Sequence, residues 1–342
     1  MAESSPTLDE WRRLYQALIR TKEIAPWEWM TETDIFGVQD PETDEIGFVS
    51  VMGMLGEHLA LAVYRGAAGL YSFWAFEEMP DDVPAEAILG MPHLQASFED
   101  REVLTNKDRE LIKQLGLRFR GRQAWPMFRS YRPGYLPWYL EPQEVRHLTY
   151  ALEQAADVAL RFKEDPALLE PIDEESYLVR VPRQVEGELL WEDKAVRVPP
   201  PEPEGISVMM DPQALEYVKQ LPQGEHTLEA DLFVFPIHIQ DRGARPYMPH
   251  MLLVVESESG FILGSELLEP KQGLAEIWGS VPMQLVHQLA NLGTRPREVR
   301  VQSFQLFALV QLLAKELDFE VKQAPRLRSL EHARQSLLHR FS

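Results

Sequence analysis

The chain has 342 residues, room for two domains or one large one, and its 45% hydrophobic and 26% charged content is that of a globular protein with a buried core. It has no cysteine, which excludes a disulfide framework, a thiolate metal site and a thiol nucleophile. A formal charge of −20 disfavours phosphate backbones and anionic lipid as default partners.

The opening Met-Ala-Glu-Ser-Ser-Pro has neither the basic nor the apolar part of a signal peptide. The longest apolar runs, at 251–255 and 306–314, are too short to cross a bilayer, so a cytoplasmic protein without membrane attachment is expected. Trp11, Leu14, Leu18 and Ile19 recur at helical spacing over 9–21, with Thr7 and Glu10 placed as a capping box. Strand-like runs at 35–38, 47–52 and 58–64 are separated by turn signals at Asp40-Pro41 and 53–56. A helix is expected over 68–78, a strand over 93–98, and a helix from a Thr105 cap to Gly116.

Residues 125–139 interleave six aromatics with Pro126, Pro133 and Pro137, which forbids a continuous helix. They are expected to form an extended segment laid over a surface, ending where Pro142 opens a helix to about residue 162. Strands at 177–181 and 188–198 flank a turn at Gly187, and the prolines of 198–205 then form a polyproline spacer. The expected organisation is an α+β domain over 1–165, a β-hairpin and Pro-rich linker over 166–210, and a second domain over 211–342.

In that last stretch a helix at 212–221 precedes strands at 229–239, 251–257 and 261–267, the latter two joined by a tight turn. A helix at about 281–291, a strand at 298–301, a helix at 304–317, a strand at 319–323 and a helix at 329–340 capped by Ser329 complete the order. Three strands followed by helix alternation resemble the ribonuclease H-like fold of integrase and transposase cores. The 251–264 run and Arg295-Pro-Arg-Glu-Val-Arg-Val carry the likeness. The resemblance implies an α/β domain with a mixed five-stranded sheet. Residues 246–266 and 295–341 also resemble a bacterial family known at its C-terminus as domain of unknown function 6930. Its N-terminal companion domain is matched by the texture from Asp40 to Glu57. That likeness brings no activity and no site residues.

Enzymes of the ribonuclease H-like class hold two divalent metals between carboxylates on the first strand, beside the fourth strand and on a helix. Here Asp231 stands on the first strand and Glu331 on the last helix, but Gln302-Ser303 follows the fourth strand, and a neutral side chain does not neutralise a hard cation. Glu256 substitutes only if it faces the same cleft. The expectation is a non-enzymatic binding or interaction protein with a degenerate ribonuclease H-like domain, no cofactor, and a partner of unassigned identity with protein the expected class. Two alternatives stand beside it. One is a divergent nuclease or phosphotransferase using Asp231, Glu256 and Glu331 with Mg or Mn. The other is a nucleic-acid binder using Arg295, Arg297, Arg300, Arg334 and Arg340, since the stretch from Arg295 onward is locally basic. Trp125, Arg129, Arg132, Tyr135 and Trp138 form a candidate binding platform by stacking and cation–π contact.

Overall fold

A computed structural model describes residues 5–341 apart from 80–89, 171, 172, 174, 203, 204, 242 and 272, with no side chain beyond His339. The expected spacer therefore includes two residues, Pro203 and Glu204, outside the described residues. The described chain divides into two compact units. One runs to Pro133 and takes in Pro137–Glu202. The other consists of Gly134–Leu136 and the chain beyond the proline run. Among the described residues no helix is long and apolar enough to cross a membrane.

The first unit opens with α1 (Leu8–Ile24). Its capping box forms as the sequence predicts: the Thr7 hydroxyl accepts from the Glu10 N–H, and the Glu10 carboxylate accepts from the Thr7 N–H at 2.7 Å. Strands β1 (Phe36–Gln39), β2 (Ile46–Met52) and β3 (Ala60–Arg65) lead into α2 (Gly66–Glu77), β4 (His93–Glu99), α3 (Asn106–Gln114) and β5 (Trp125–Tyr131). After α4 (Pro142–Glu164), the hairpin of β6 (Ser176–Val185) and β7 (Glu188–Arg197) completes a seven-stranded mixed sheet ordered β5-β4-β3-β2-β1-β6-β7. The β6 strand runs parallel to β1, and every other pairing in this sheet is antiparallel. The β6–β7 turn puts Glu186 and Gly187 at φ 53° and 90°, the left-handed pair that a two-residue hairpin loop needs.

Alternation along the strands sorts the core. Val49, Val51, Leu61 and Val63 pack on α1 and α4, while Phe48, Ala62 and Tyr64 pack on Leu70 and Phe73 of α2. Residues 125–131 are not draped over a surface; they are the edge strand β5, paired with β4 in register Pro126↔Phe98 to Tyr131↔His93. An edge position tolerates Pro126, because one side of the strand needs no ladder partner.

The second unit starts with α5 (Pro212–Lys219), followed by β8 (Thr227–Val234), β9 (His250–Glu256), β10 (Ile262–Leu268) and α6 (Leu274–Leu292). The chain continues through β11 (Glu298–Val301), α7 (Phe304–Leu317), β12 (Glu320–Gln323) and α8 (Arg328–Phe341). Its five strands lie in the order β10-β9-β8-β11-β12. The first three strands in sequence are antiparallel neighbours, and β8, β11 and β12 are parallel. Leu228, Ala230 and Leu232 face the helices α6 and α7, and Phe233 and Phe235 face Leu327, Leu330 and Ala333 at and beside the start of α8.

Two expected helix starts are displaced. The helix expected from about residue 281 begins at Leu274 and carries Pro282 inside it rather than in its first turn. Beside that proline, the Gly279 carbonyl accepts from the Met209 N–H at 2.8 Å, so the irregular chain leading into α5 engages a backbone group there. The last helix begins at Arg328, not at a Ser329 cap. The Ser329 hydroxyl donates to the Ser257 carbonyl instead, and a distant carboxylate receives the free N–H of the first turn.

Candidate functional site

On β8 the side chains of Glu229 and Asp231 share the face that meets α8, two residues apart on one pleat. Asp231 pairs with Leu253 across the β8–β9 ladder, whereas Glu256 pairs with Leu228. Cross-strand partners share a face, so Glu256 projects from the side of the sheet opposite Asp231. The Ser259 hydroxyl and N–H in its own hairpin turn hold its pKa below the usual carboxylate range. Glu331 on α8 is ion-paired with Arg326 at 2.7 Å. The three candidate acids therefore do not converge, and among the described residues no group of three His, Asp or Glu side chains is placed to hold a metal ion.

The buried acid of β8 is Glu229, 5% exposed, which the sequence reading passed over. One of its oxygens accepts from the Ser257 hydroxyl at 3.0 Å and the other from the Leu330 N–H at 2.9 Å. A carboxylate aimed at the first turn of α8 meets both the unsatisfied N–H groups and the positive end of the helix dipole. Asp231 is half-buried: burial raises its pKa, an effect that the Leu232 backbone N–H and the Arg334 guanidinium only partly offset. The residue beyond β11, Gln302, is exposed and donates to the Pro325 carbonyl at 3.2 Å.

The arginines proposed for nucleic acid are engaged within the unit. Arg295 donates to the carbonyls of Leu221 and Leu317, Arg297 lies 4.0 Å from Glu225, and Arg300 is paired with the buried Glu298 at 2.6 Å. Arg334 lies over the Phe233 ring at 4.2 Å. The side chain of Arg340 lies outside the described residues. A basic count along the sequence is thus balanced in space by carboxylates, carbonyls and a ring face.

The aromatic platform is dispersed in a similar way. Arg129 makes a two-pronged pair with Asp108, at 2.9 and 2.6 Å, with the two side chains 11% and 10% exposed. Arg132 is paired with Glu141 and Glu144. Trp125 packs its ring against Phe119, and Trp138 returns its backbone to pair with Ser130. Tyr135 belongs to the short stretch of the second unit, where its backbone pairs with that of Tyr247.

The first unit also holds an open cleft of about 860 Å³, floored by Ile35, Tyr71, Trp74, Phe162 and Tyr177. The Trp74 indole N–H donates to the Tyr177 hydroxyl and the Tyr71 hydroxyl to the Val198 carbonyl, which fixes the three rings. Asp34, Glu78 and Glu170 stand among its lining residues, giving an aromatic bed with acidic groups, a size and character common to small-molecule sites.

Residues 11–180 match domain of unknown function 7309 (DUF7309), and residues 214–338 match domain of unknown function 6930 (DUF6930). The chain carries a DUF7309 domain followed by a DUF6930 domain. A comparison with curated proteins finds no match.

Within the DUF7309 domain, a buried polar cluster also escaped the sequence reading. Glu144, 4% exposed, accepts from the Ser130 hydroxyl, Arg132 and the Glu141 N–H. Near it, the His147 imidazole lies 3.8 Å from Asp40, with its pKa lowered by burial. A side chain on Gly47 would strike the ring of His147 at 2.6 Å, so that glycine leaves the ring its space and the ring fills it. These residues come together from β2, β5 and α4, and no local spacing announces them. In the DUF6930 domain the same holds for Glu229 and Leu330, which are 101 positions apart.

Proposed function

We propose that the protein is a non-enzymatic binding protein of the bacterial cytoplasm, whose DUF6930 domain is a ribonuclease H-like frame without a working metal site. Support for the frame comes from the strand order β10-β9-β8-β11-β12, with β9 antiparallel and β11 and β12 parallel to a central β8. The observation that carries the absence of catalysis is the division of the acids: Asp231 and Glu256 leave opposite faces of one sheet. Two-metal phosphoryl transfer needs carboxylates on both sides of a shared pair of cations about 4 Å apart, and a sheet cannot be bridged through its backbone. The fourth-strand position adds no charge, since Gln302 is an amide tied to Pro325.

Binding is then the remaining work of the chain, and the aromatic cleft of the DUF7309 domain supports a small ligand with a ring and a positive group. The acids Asp34, Glu78 and Glu170 suit a cation, and Tyr71, Trp74 and Tyr177 offer ring faces.

The test is thermal unfolding of the full chain and of Asp231→Asn with Mg²⁺ or Mn²⁺ added in millimolar steps. The expected result is the same small response in both proteins. A metal-dependent rise in melting temperature that disappears in Asp231→Asn would overturn the reading and restore the nuclease alternative.

A further inference from the structure

A second cleft of the DUF7309 domain has the opposite electrostatic character. It measures about 470 Å³ and is lined by Arg101, Arg109, Lys113, Arg118 and Arg120 together with apolar and aromatic residues, and none of its lining residues is acidic. Three pieces of chain bring the cations together. Arg109 and Lys113 lie four apart on α3, hence on one helix face. Gly116, at φ 73°, turns the chain out of that helix into Leu117-Arg118-Phe119-Arg120, where the two arginines are exposed and Phe119 packs inward beside Trp125 at 6.0 Å. Arg101 follows β4 and lies 5.7 Å from the Trp125 ring.

None of these cations is spent on a carboxylate among the described residues, although Arg109 donates to the Asn106 side-chain oxygen at 2.9 Å. Elsewhere in this domain many arginines are matched: Arg65, Arg129, Arg132, Arg146, Arg161 and Arg180 all carry carboxylate partners. Among the described residues, none of the five in this cleft has an ion pair, although the chain as a whole carries an excess of twenty negative charges. The nearby Asp108 is fully engaged by Arg129 and Thr105, and Asp100 accepts from the Gln123 N–H. Five like charges held together without counter-charges repel one another, and an anion relieves that repulsion.

We propose that this cleft binds a nucleoside polyphosphate, its phosphates among Arg109, Lys113, Arg118 and Arg120 and its base at the Phe119–Trp125 wall. Guanidinium forks match phosphate oxygens in pairs, and the cleft has the volume of a small-molecule site. A compact anion is favoured over a nucleic-acid strand by range. Its charges all lie within about one Debye length of the cations, whereas a long polyanion extends over a surface whose net charge is strongly negative. This inference is independent of whether the DUF6930 domain is catalytic.

The experiment is calorimetric titration of the full chain with ATP, adenosine, inorganic tripolyphosphate and a single-stranded oligonucleotide, repeated on Arg118→Glu/Arg120→Glu and on the exposed control Arg183→Ala. ATP is expected to bind more tightly than tripolyphosphate, and adenosine not detectably. The double variant, with its melting temperature unchanged, is expected to lose at least about tenfold in ATP affinity, and the control to lose none. Absence of ATP binding at millimolar concentration overturns the proposal. So does an affinity for tripolyphosphate equal to that for ATP, which removes the base from the site. An oligonucleotide that outcompetes ATP overturns it in favour of a nucleic-acid surface.

Discussion

Buried charge is handled by ion pairs in both domains, Glu298 of the DUF6930 domain by Arg300 and Lys322 among them, but the central strand β8 of that domain uses a different means. In the DUF7309 domain, two carboxylates withdrawn from water are matched by arginines: Asp108 by Arg129, and Glu144 by Arg132 with the Ser130 hydroxyl beside it. In the DUF6930 domain the buried acid of the central strand, Glu229, is held by a hydroxyl and a backbone N–H, and Asp231 beside it by the Leu232 backbone N–H and the field of Arg334. An ion pair depends on both partners being present, while a carboxylate held by neutral donors depends on geometry. The two sites are therefore brittle in different ways: Asp108 and Glu144 to loss of a charge, Glu229 to loss of the fit between β8 and α8.

The largest effect is expected where a matched pair is halved. Arg129→Ala leaves Asp108 desolvated with no counter-charge and should destabilise the protein by about 4 kcal/mol in chemical denaturation. Replacing both partners with apolar residues of similar volume should recover much of that loss. If the single and double variants are equally damaged, the pair is not what stabilises this corner of the domain.

A buried neutral group in the same domain gives the next effect. His93, stacked on Tyr131 at 4.0 Å with one ring nitrogen at the Met91 carbonyl, has its pKa lowered by burial to about 4. The unfolded chain takes up a proton near the ordinary value of 6.5, and the folded chain resists it. Stability from this group is therefore complete above pH 6.5 and declines as the pH falls toward 4, by about 3 kcal/mol over the window. His93→Phe keeps a ring on Tyr131 and should flatten that part of the pH profile. An unchanged slope in this variant would assign the acid sensitivity to other groups.

For the second domain, Glu229→Ala strips acceptors from the Ser257 hydroxyl and the Leu330 N–H and should cost about 2 kcal/mol. Glu229→Gln keeps an acceptor and should cost less. Hydrogen exchange reads the mechanism directly, because the first-turn amides of α8 should exchange faster in the alanine variant while β8 keeps its protection. Uniform acceleration across the domain would mean that the carboxylate supports the whole sheet rather than the helix start.

What the sequence disclosed follows the same division between local and distant causes. The Thr7–Glu10 box, the Gly187 turn and the order of strands and helices after the proline run are all written within a few residues, and they were legible. The edge strand β5 was hidden by Pro126, because a proline argues against a strand until the neighbour on one side is known to be absent. Pro282 hid the first half of α6 for a related reason, since a proline is expected in a helix's first turn. Asp231 drew attention over Glu229 because sequence alone does not reveal which of two acids on one pleat meets the helix that follows a hundred residues later. The basic run from Lys113 to Arg122 was visible throughout, but charge counted only toward the C-terminus concealed it. Pairing in space, not abundance in sequence, separates Arg118 and Arg120 from Arg295 and Arg300.

The smallest expected effect isolates Asp231. Burial raises its pKa above the ordinary 3.8, so the folded chain holds this proton more tightly than the unfolded chain does. Below pH 3.8 both states are protonated and the group is silent. As the pH rises through the folded pKa, the carboxylate must ionise in a site that resists it, and stability is lost. Asp231→Asn removes that penalty, so the variant should be more stable than the parent at pH 7 and lose its advantage in acid. Both unfolding curves at pH 7 and pH 3.5 suffice to measure it. A variant less stable at pH 7 would mean that the Arg334 field outweighs burial, and Asp231 would then belong with the matched charges of the first domain rather than with Glu229.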